Sequence, residues 1–224
     1  MWCIAPRNNA EFVCQMEAVL DVYKRPYDPE YPVVCMDETT KQCTLETRKP
    51  IKASPGQCER YDGEYRRNGV AHLMLFYAPF ENQRTVHIAD NHAAGQWAEG
   101  VRKLVQEQHP QAKRITLVMD NLNTHSGASL YKTFEPSLAH ELLQRLEFVF
   151  TPKHGSWLNM AECEFSVLAR QCLDRRIPDV TTLTEEVTQW QSLRNKNDKP
   201  ANWRFTTEDA RIKLKSLYPN VSCG

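Results

Sequence analysis

The sequence carries no net charge: 28 Lys and Arg face 28 Asp and Glu. A uniformly basic coat for nucleic acid is therefore excluded, while a local basic patch is not. It also lacks a long apolar run. The longest, around Val70 to Phe80, is broken by His72 and Pro79 and falls short of the ~20 residues that a membrane span needs. The opening Met1-Trp2-Cys3-Ile4-Ala5-Pro6 has no charged start followed by an apolar stretch, so it does not read as a secretory signal. None of the eight cysteines pairs as C-x-x-C, and no Cys-His cluster has zinc spacing. Their even number permits disulfides, but without a secretory signal the expectation is free thiols in a reducing cytosol, hence a cytoplasmic protein with no membrane partner. No internal repeat or low-complexity tract is present.

What remains is ordinary globular material. Hydrophobic residues make up 41% and charged residues 25% of 224, enough for one domain with an appendage or for two small domains. In the first 25 residues Phe12, Met16, Val19 and Leu20 fall on a helical period. The proline-rich PYDPEYP that follows reads as a linker, and VVCMDE as a buried strand ending in two acids. Residues 39–69 read as polar and irregular, with seven Lys or Arg against four acids. Two strands, Val70 to Tyr77 and Thr85 to Ile88, are expected to form a hairpin across Pro79-Phe80-Glu81-Asn82. A helix from Asn91 to Gln108 should end at His109-Pro110. RITLVMD (114–120) and LEFVF (146–150) read as strands, with helical segments between them interrupted by Pro136. Ser156 is placed to cap a helix running to about Arg176, and two further helices are expected at 182–194 and 206–217. Strands first, then strands alternating with helices, predict an α/β fold with a mixed sheet of about five strands flanked by helices.

The acids carry the chemistry. Asp37 closes one expected strand, Asp120 closes another, and Glu162 and Glu164 stand in the first turns of the helix after Ser156. Acids at strand ends fall where an α/β sheet opens into a ligand crevice. Three of them together would repel one another, and a divalent cation would relieve that repulsion; oxygen-only ligands favour Mg²⁺ or Mn²⁺. Two such ions ~3.5–4 Å apart suit phosphodiester chemistry. Taken alone, each acid reads by default as a turn or cap residue, or, for a glutamate, as part of a solvated helix face. The helical period does not choose between the two glutamates: Glu162 neighbours Leu158, Phe165 and Ala169, and Glu164 neighbours Met160, Val167 and Leu168. They point to different sides, so only one can face the aspartates.

VVCMDE, EYRRNG, LVMDNLNTHSG, TPKHGSWLNMAECEFSVLARQCLDRRI and ARIKLKSLYP together closely resemble bacterial insertion-sequence transposases of the IS-six-thirty family, in the mariner-type superfamily of DDE endonucleases. The resemblance implies an RNase H-like catalytic domain over 31–177, preceded by a helix and linker at 1–30 and followed by a helical extension at 178–224. It implies that Asp37, Asp120 and Glu162 are the catalytic, metal-holding triad. Glu162 is chosen because the family's third acid follows a Leu-Asn-x-x element, here Leu158-Asn159-Met160-Ala161. The implied cofactor is Mg²⁺, with Mn²⁺ able to substitute and two ions present on DNA; the expectation is that Asp37 bridges them while Asp120 and Glu162 each hold one. The implied reaction is strand cleavage by water at the end of a mobile element, then attack of the freed 3′-hydroxyl on target DNA.

Family members usually begin with a helix-turn-helix reader of the element's ends. Barely 30 residues precede the first catalytic strand here, so the expectation is a catalytic half, from a split reading frame or a truncated copy. Its partners would be DNA, a second copy in a homodimer, and a separate chain carrying the reader. A catalytically incompetent relic that binds DNA or a partner transposase is the alternative. Arg66, Arg67, Asn121, His125, Lys153 and His154 are the candidate DNA contacts, with Lys153 and His154 just ahead of a helix N-terminus suited to phosphate. Asn121, Asn123 and His125 could instead orient Asp120, and Trp157 could stack on a base or fill the core.

Overall fold

The computed structural model describes residues 9–89, 91, 93–122, 125–197 and 199–219. Its centre is a five-stranded sheet in the order β3-β2-β1-β4-β5, built from β1 (Val33–Glu46), β2 (Tyr65–Ala78), β3 (Gln83–Ala89), β4 (Ile115–Met119) and β5 (Leu146–Phe150). The first three pair antiparallel; β1–β4 and β4–β5 pair parallel. This is the mixed sheet that the sequence predicts. Asn82 makes the β2–β3 turn at φ 56°, a left-handed conformation that asparagine tolerates.

Among the described residues seven α-helices flank the sheet: α1 (Ala10–Lys24), α2 (Ala94–Lys103), α3 (Gly127–Thr133), α4 (Pro136–Gln144), α5 (Met160–Leu168), α6 (Val180–Asn197) and α7 (Thr207–Lys213). Strand alternation sorts the core into two layers. Val34, Met36, Met74, Phe76, Leu117 and Met119 face α2, α3 and α4 and pack with Trp97, Val101, Leu130 and Leu142. Cys35, Leu75 and Val118 face the other way, onto Met16 and Leu20 of α1, Ala161 of α5 and the C-terminal Ala210 and Leu217. Because β4 is covered on both sides, all five of its residues are buried. A third cluster joins Leu73 and Leu168 to Leu183, Val187 and Trp190 of α6.

The exposed edge of β3 is closed by side chains rather than by another strand. Asn195 accepts from Arg84 N at 3.0 Å and donates to Arg84 O at 3.0 Å, and Gln191 accepts from Val86 N at 2.8 Å. These bonds satisfy backbone groups that an edge leaves open.

Three local expectations are corrected. Residues 39–69 are not all irregular: β1 runs on to Glu46 and β2 begins at Tyr65, so Asp37 lies within a strand and not at its end. The outer halves of both strands form a two-stranded arm, which is half-exposed and therefore polar in sequence. The helix after His87 is α-helical only over Ala94–Lys103 and finishes as a π-helical turn over Leu104–Gln108. Ser156 does not cap α5. It opens a short 3₁₀ turn, Ser156–Leu158, and Asn159 is the cap.

Cys14, Cys35, Cys43, Cys58, Cys163 and Cys172 are free thiols. Among the described residues no helix is long and apolar enough to cross a membrane.

Candidate active site

The parallel pairing of β1 and β4 aligns Val33 with Thr116, Val34 with Leu117 and Cys35 with Val118. Continued two residues, that register sets Asp120 alongside Asp37, both on the face that α5 covers. Asn159 then fixes where α5 starts. It is 2% exposed, its Oδ1 accepts from Ala161 N at 3.1 Å, and its Nδ2 donates to Met36 O at 2.9 Å. One side chain therefore caps the helix and ties it to the residue before Asp37. Tyr23 of α1 braces the same point by donating to Leu158 O at 2.7 Å. Glu162 falls in the first turn of α5, where a carboxylate suits the helix dipole.

Asp37, Asp120 and Glu162 line one cleft of about 510 Å³. Its rim carries Asn121, Lys153 and His154, and α1 contributes Glu11 and Gln15. The acids act on one another. Burial, with Glu162, Asp120 and Glu38 nearby, pushes the Asp37 carboxyl up to about 7 despite the hydrogen bond it accepts from Glu38 N at 2.8 Å. Burial also raises Glu162, with Asp120 adding to the rise and a hydrogen bond from Ser156 opposing it. Three carboxylates in one cleft form a hard, all-oxygen donor set that suits Mg²⁺ or Mn²⁺. They are not drawn together as they stand: among the described residues no three His, Cys, Asp or Glu side chains are gathered closely enough to hold an ion. Each is held by a protein partner instead, Asp37 by Glu38 N, Glu162 by Ser156 and Asp120 by His125.

The loop ahead of α5 is tightly wound. Thr151 N donates to Met119 O at 2.9 Å, which anchors the loop to the end of β4. Gly155 N donates to Pro152 O at 2.8 Å, and His154 sits at φ 65°, a conformation costly for a residue with a Cβ. A Cβ on Gly155 would lie 2.5 Å from Pro152 Cγ, so only glycine closes this turn. The turn holds Lys153 and His154, both exposed, at the cleft mouth.

Glu164 has a different setting. Its side chain is 6% exposed and faces Arg84, which is fully buried, with Nε at 3.0 Å from Oε1. Arg194 of α6 adds hydrogen bonds to both carboxylate oxygens at 3.0 and 3.1 Å. This glutamate joins α5 to β3 and α6 and turns away from the cleft.

His125 is 1% exposed and stacks on Trp97, centroids 5.8 Å apart, so in this arrangement it offers no surface to DNA. Its Nδ1 lies 2.8 Å from Asp120 Oδ1, and its Nε2 lies 3.2 Å from Glu38 Oε1. Burial works against its charge, but the two carboxylates prevail and push its pKa up to about 9. Arg66 and Arg67 are exposed on the arm of β2. Arg67 is eight residues from Leu75, the partner of Asp37, or about 26 Å at the usual strand rise. Asn123 lies outside the described residues. Trp157 is half-buried, packed edge-on to Phe205 at 6.0 Å in the α1-side core.

Two functional partners escape local sequence reading, Glu38 and Arg84. Glu38 follows Asp37 and so points to the opposite face of the sheet, where nothing nearby in sequence marks a partner. The available signal was physical: an acid in a buried strand needs a counter-charge.

A family model described as DDE superfamily endonuclease matches residues 32–184. No curated protein matches the sequence. Among solved structures, the mariner Mos1 paired end complex with Mg aligns with TM-score 0.63 at 16% identity, covering 97% of this chain and 66% of that one. The Mos1 mariner paired end complex with Mn aligns at 0.59 and 15%, covering 89% and 59%, so the chain spans well under two thirds of that relative. The catalytic domain of Mos1 mariner transposase aligns at 0.54 and 12%, covering 85% of both. At these identities the likeness is one of fold, the RNase H-like mixed sheet flanked by helices. The family match, over more than half of the sequence, places the chain among the DDE superfamily endonucleases.

Proposed function

We propose that this chain is the catalytic domain of an insertion-sequence transposase of the bacterial IS-six-thirty family, acting on DNA in the cytoplasm with Asp37, Asp120 and Glu162 as its metal-holding acids. The observation that carries this reading is that the three acids reach one cleft from β1, from the end of β4 and from the first turn of α5. Two bound Mg²⁺ or Mn²⁺ ions would supply Lewis-acid activation of the attacking hydroxyl and stabilisation of the leaving oxygen. The chain's own residues hold and orient. Asn159 sets the distance between α5 and β1, so Glu162 is delivered to the aspartates. Lys153 and His154 meet phosphate at the cleft mouth, and Asn121 borders the scissile strand. In the first step water adds to phosphorus and the 3′ oxygen leaves with a proton; in the second that 3′-hydroxyl gives up its proton and attacks a target phosphodiester, whose own 3′ oxygen leaves and takes a proton. Arg66 and Arg67, far along the arm, contact DNA at a distance from the reacting bond. Pairing two element ends calls for a homodimer.

Calorimetric titration of Mn²⁺ into the purified chain and into Asp37→Asn and Glu162→Gln tests the reading, followed by Mg²⁺-dependent cleavage of DNA. Loss of binding and cleavage in both variants is expected. Undiminished binding in both would put the ion elsewhere and overturn the assignment.

A further inference from the structure

Behind the three acids stands a second, buried constellation. Glu38 and Asp37 are neighbours on β1, so their side chains leave the sheet on opposite faces. Asp37 faces α5, while Glu38 shares the α2 side with Met36, a residue of that core layer. His125 lies on the Glu38 side, against Trp97, an α2 residue. From there it reaches past the end of β4 to Asp120, 2.8 Å from Nδ1, while Nε2 stays 3.2 Å from Glu38. One imidazole thus joins carboxylates from two faces of the sheet.

We propose that Glu38 and His125 form a clamp that positions Asp120 for its metal ion. Nδ1 is hydrogen-bonded to Asp120 and Nε2 faces Glu38 at 3.2 Å, so the ring cannot turn without losing one of these two contacts. Trp97 blocks its tilt. Asp120 Oδ1 is thereby fixed, and its other oxygen is left to the cleft; the carboxyl keeps 42% of its side chain exposed, whereas the imidazole keeps 1%. His125 touches no reacting atom in this scheme, and Glu38 acts on Asp120 through it. Both are positioning residues. A rigid oxygen matters here because the three acids are not gathered as they stand. With Asp120 preset, one of the three acids needs no reorientation when the site closes. The clamp rests on the assignment of Asp120 as a metal ligand, so its test must separate the two.

Mn²⁺ affinity is measured by calorimetry for wild type, Asp120→Asn, Glu38→Gln, His125→Ala and the Glu38→Gln/His125→Ala double variant. Glu38→Gln keeps shape and volume, so it carries the test even if loss of the imidazole unsettles Trp97. Partners that orient a metal ligand typically contribute ~10–100-fold to affinity, so Glu38→Gln and His125→Ala should each weaken binding about tenfold or more. The double variant should lose far less than the sum of the two single losses, because Glu38 acts on Asp120 through the ring and reaches Asp37 only by its charge across the sheet. In metal-free protein, nitrogen-edited NMR should show the His125 Nδ1 proton protected from exchange by its bond to Asp120. If Asp120→Asn abolishes binding while Glu38→Gln and His125→Ala bind like wild type, the clamp is overturned and the metal site stands. If wild type binds no Mn²⁺, the three-acid assignment falls and the clamp with it. An Nδ1 proton that exchanges like that of a free imidazole would overturn the clamp without reference to any metal.

Discussion

Glu162 and Glu164 are two residues apart and flanked by similar apolar neighbours, yet they carry different loads. Glu162 lines the cleft, and Glu164 neutralises Arg84, which has no exposure at all. Glu164→Gln removes one partner of a buried ion network and leaves two guanidiniums facing an uncharged amide. Breaking such a network costs about 3 kcal/mol or more. At this chain length that lowers Tm by roughly 6–12 °C, readable by calorimetry. Glu162→Gln should leave Tm within a few degrees of wild type, or raise it slightly by relieving repulsion in the cleft. The opposite ranking of the two Tm values would reverse the assignment. A sequence cannot rank them, since Arg84 is 80 residues from Glu164 and only the fold brings them together.

His87 gives a residue-scale prediction in pH. Burial, with Lys103 nearby, lowers its pKa from 6.5 to about 4. The folded state therefore binds fewer protons than the unfolded state between those values. Stability from this group is present above pH 6.5 and is lost as pH falls toward 4. His87→Phe, which keeps a ring beside Phe76, should flatten the decline in Tm between pH 7 and pH 5. Parallel declines for the two proteins would mean that His87 is neutral in both states or solvated in both.

At the scale of elements, the strands and helices with one clear period were legible. ITLVM is a strand covered on both faces, LEFVF is a half-buried edge strand of bulky apolar residues beside it, and AEFVCQMEAVLDVYK is a helix because Phe12, Met16, Val19, Leu20 and Tyr23 share a side. The arm formed by Thr39–Glu46 and Tyr65–Gly69 was not, because it is held to residues 173–178 through polar groups such as Lys41, Asn68 and Glu46 and so shows no apolar period. The start of α5 was misplaced for a related reason. Ser156 and Asn159 are both good caps, and the choice falls to Asn159 because only its amide also reaches Met36 O across 123 positions of sequence. Asn159→Ala removes the cap and orphans that carbonyl, at a cost of about 2 kcal/mol. It should also weaken Mn²⁺ binding, since Glu162 loses its fixed offset from Asp37. Stability falling with metal affinity untouched would make Asn159 a cap and nothing more. Gly155→Ala should behave differently, because its Cβ meets Pro152 and displaces the turn that holds Lys153 and His154. Mn²⁺ binding should survive there, while DNA affinity drops.

Across the whole molecule, zero net charge hides a division of labour among the cations. Arg84, Arg194, Arg211 and Arg176 are in ion pairs that join distant parts of the chain: β3 and α6 to α5, α7 to α1, and residue 176 to the end of β1. Among the described residues Lys153, Arg66, Arg67 and Arg170 make no ion pair, and all four are exposed. Arg170 borders a groove with Thr39 and Lys41, the stretch of β1 that runs from Asp37 toward the arm. Lys153, Arg170, Arg66 and Arg67 lie on a path from the cleft mouth along β1 to the outer end of β2, although among the described residues Arg114, Lys132 and Lys199 elsewhere are exposed and in no ion pair as well. That path predicts DNA binding that depends steeply on salt despite a neutral chain. Each phosphate neutralised contributes about −0.9 to the slope of log K against log salt. Lys153→Ala and Arg170→Ala should each reduce the slope by about 1 and weaken binding to every duplex alike, measured by fluorescence anisotropy across a salt series. A paired arginine, such as Arg211, should leave the slope unchanged when replaced. Should Arg211→Ala flatten the slope as much as Lys153→Ala does, DNA would be reading the diffuse field of the whole protein, and the path along β1 would have no standing.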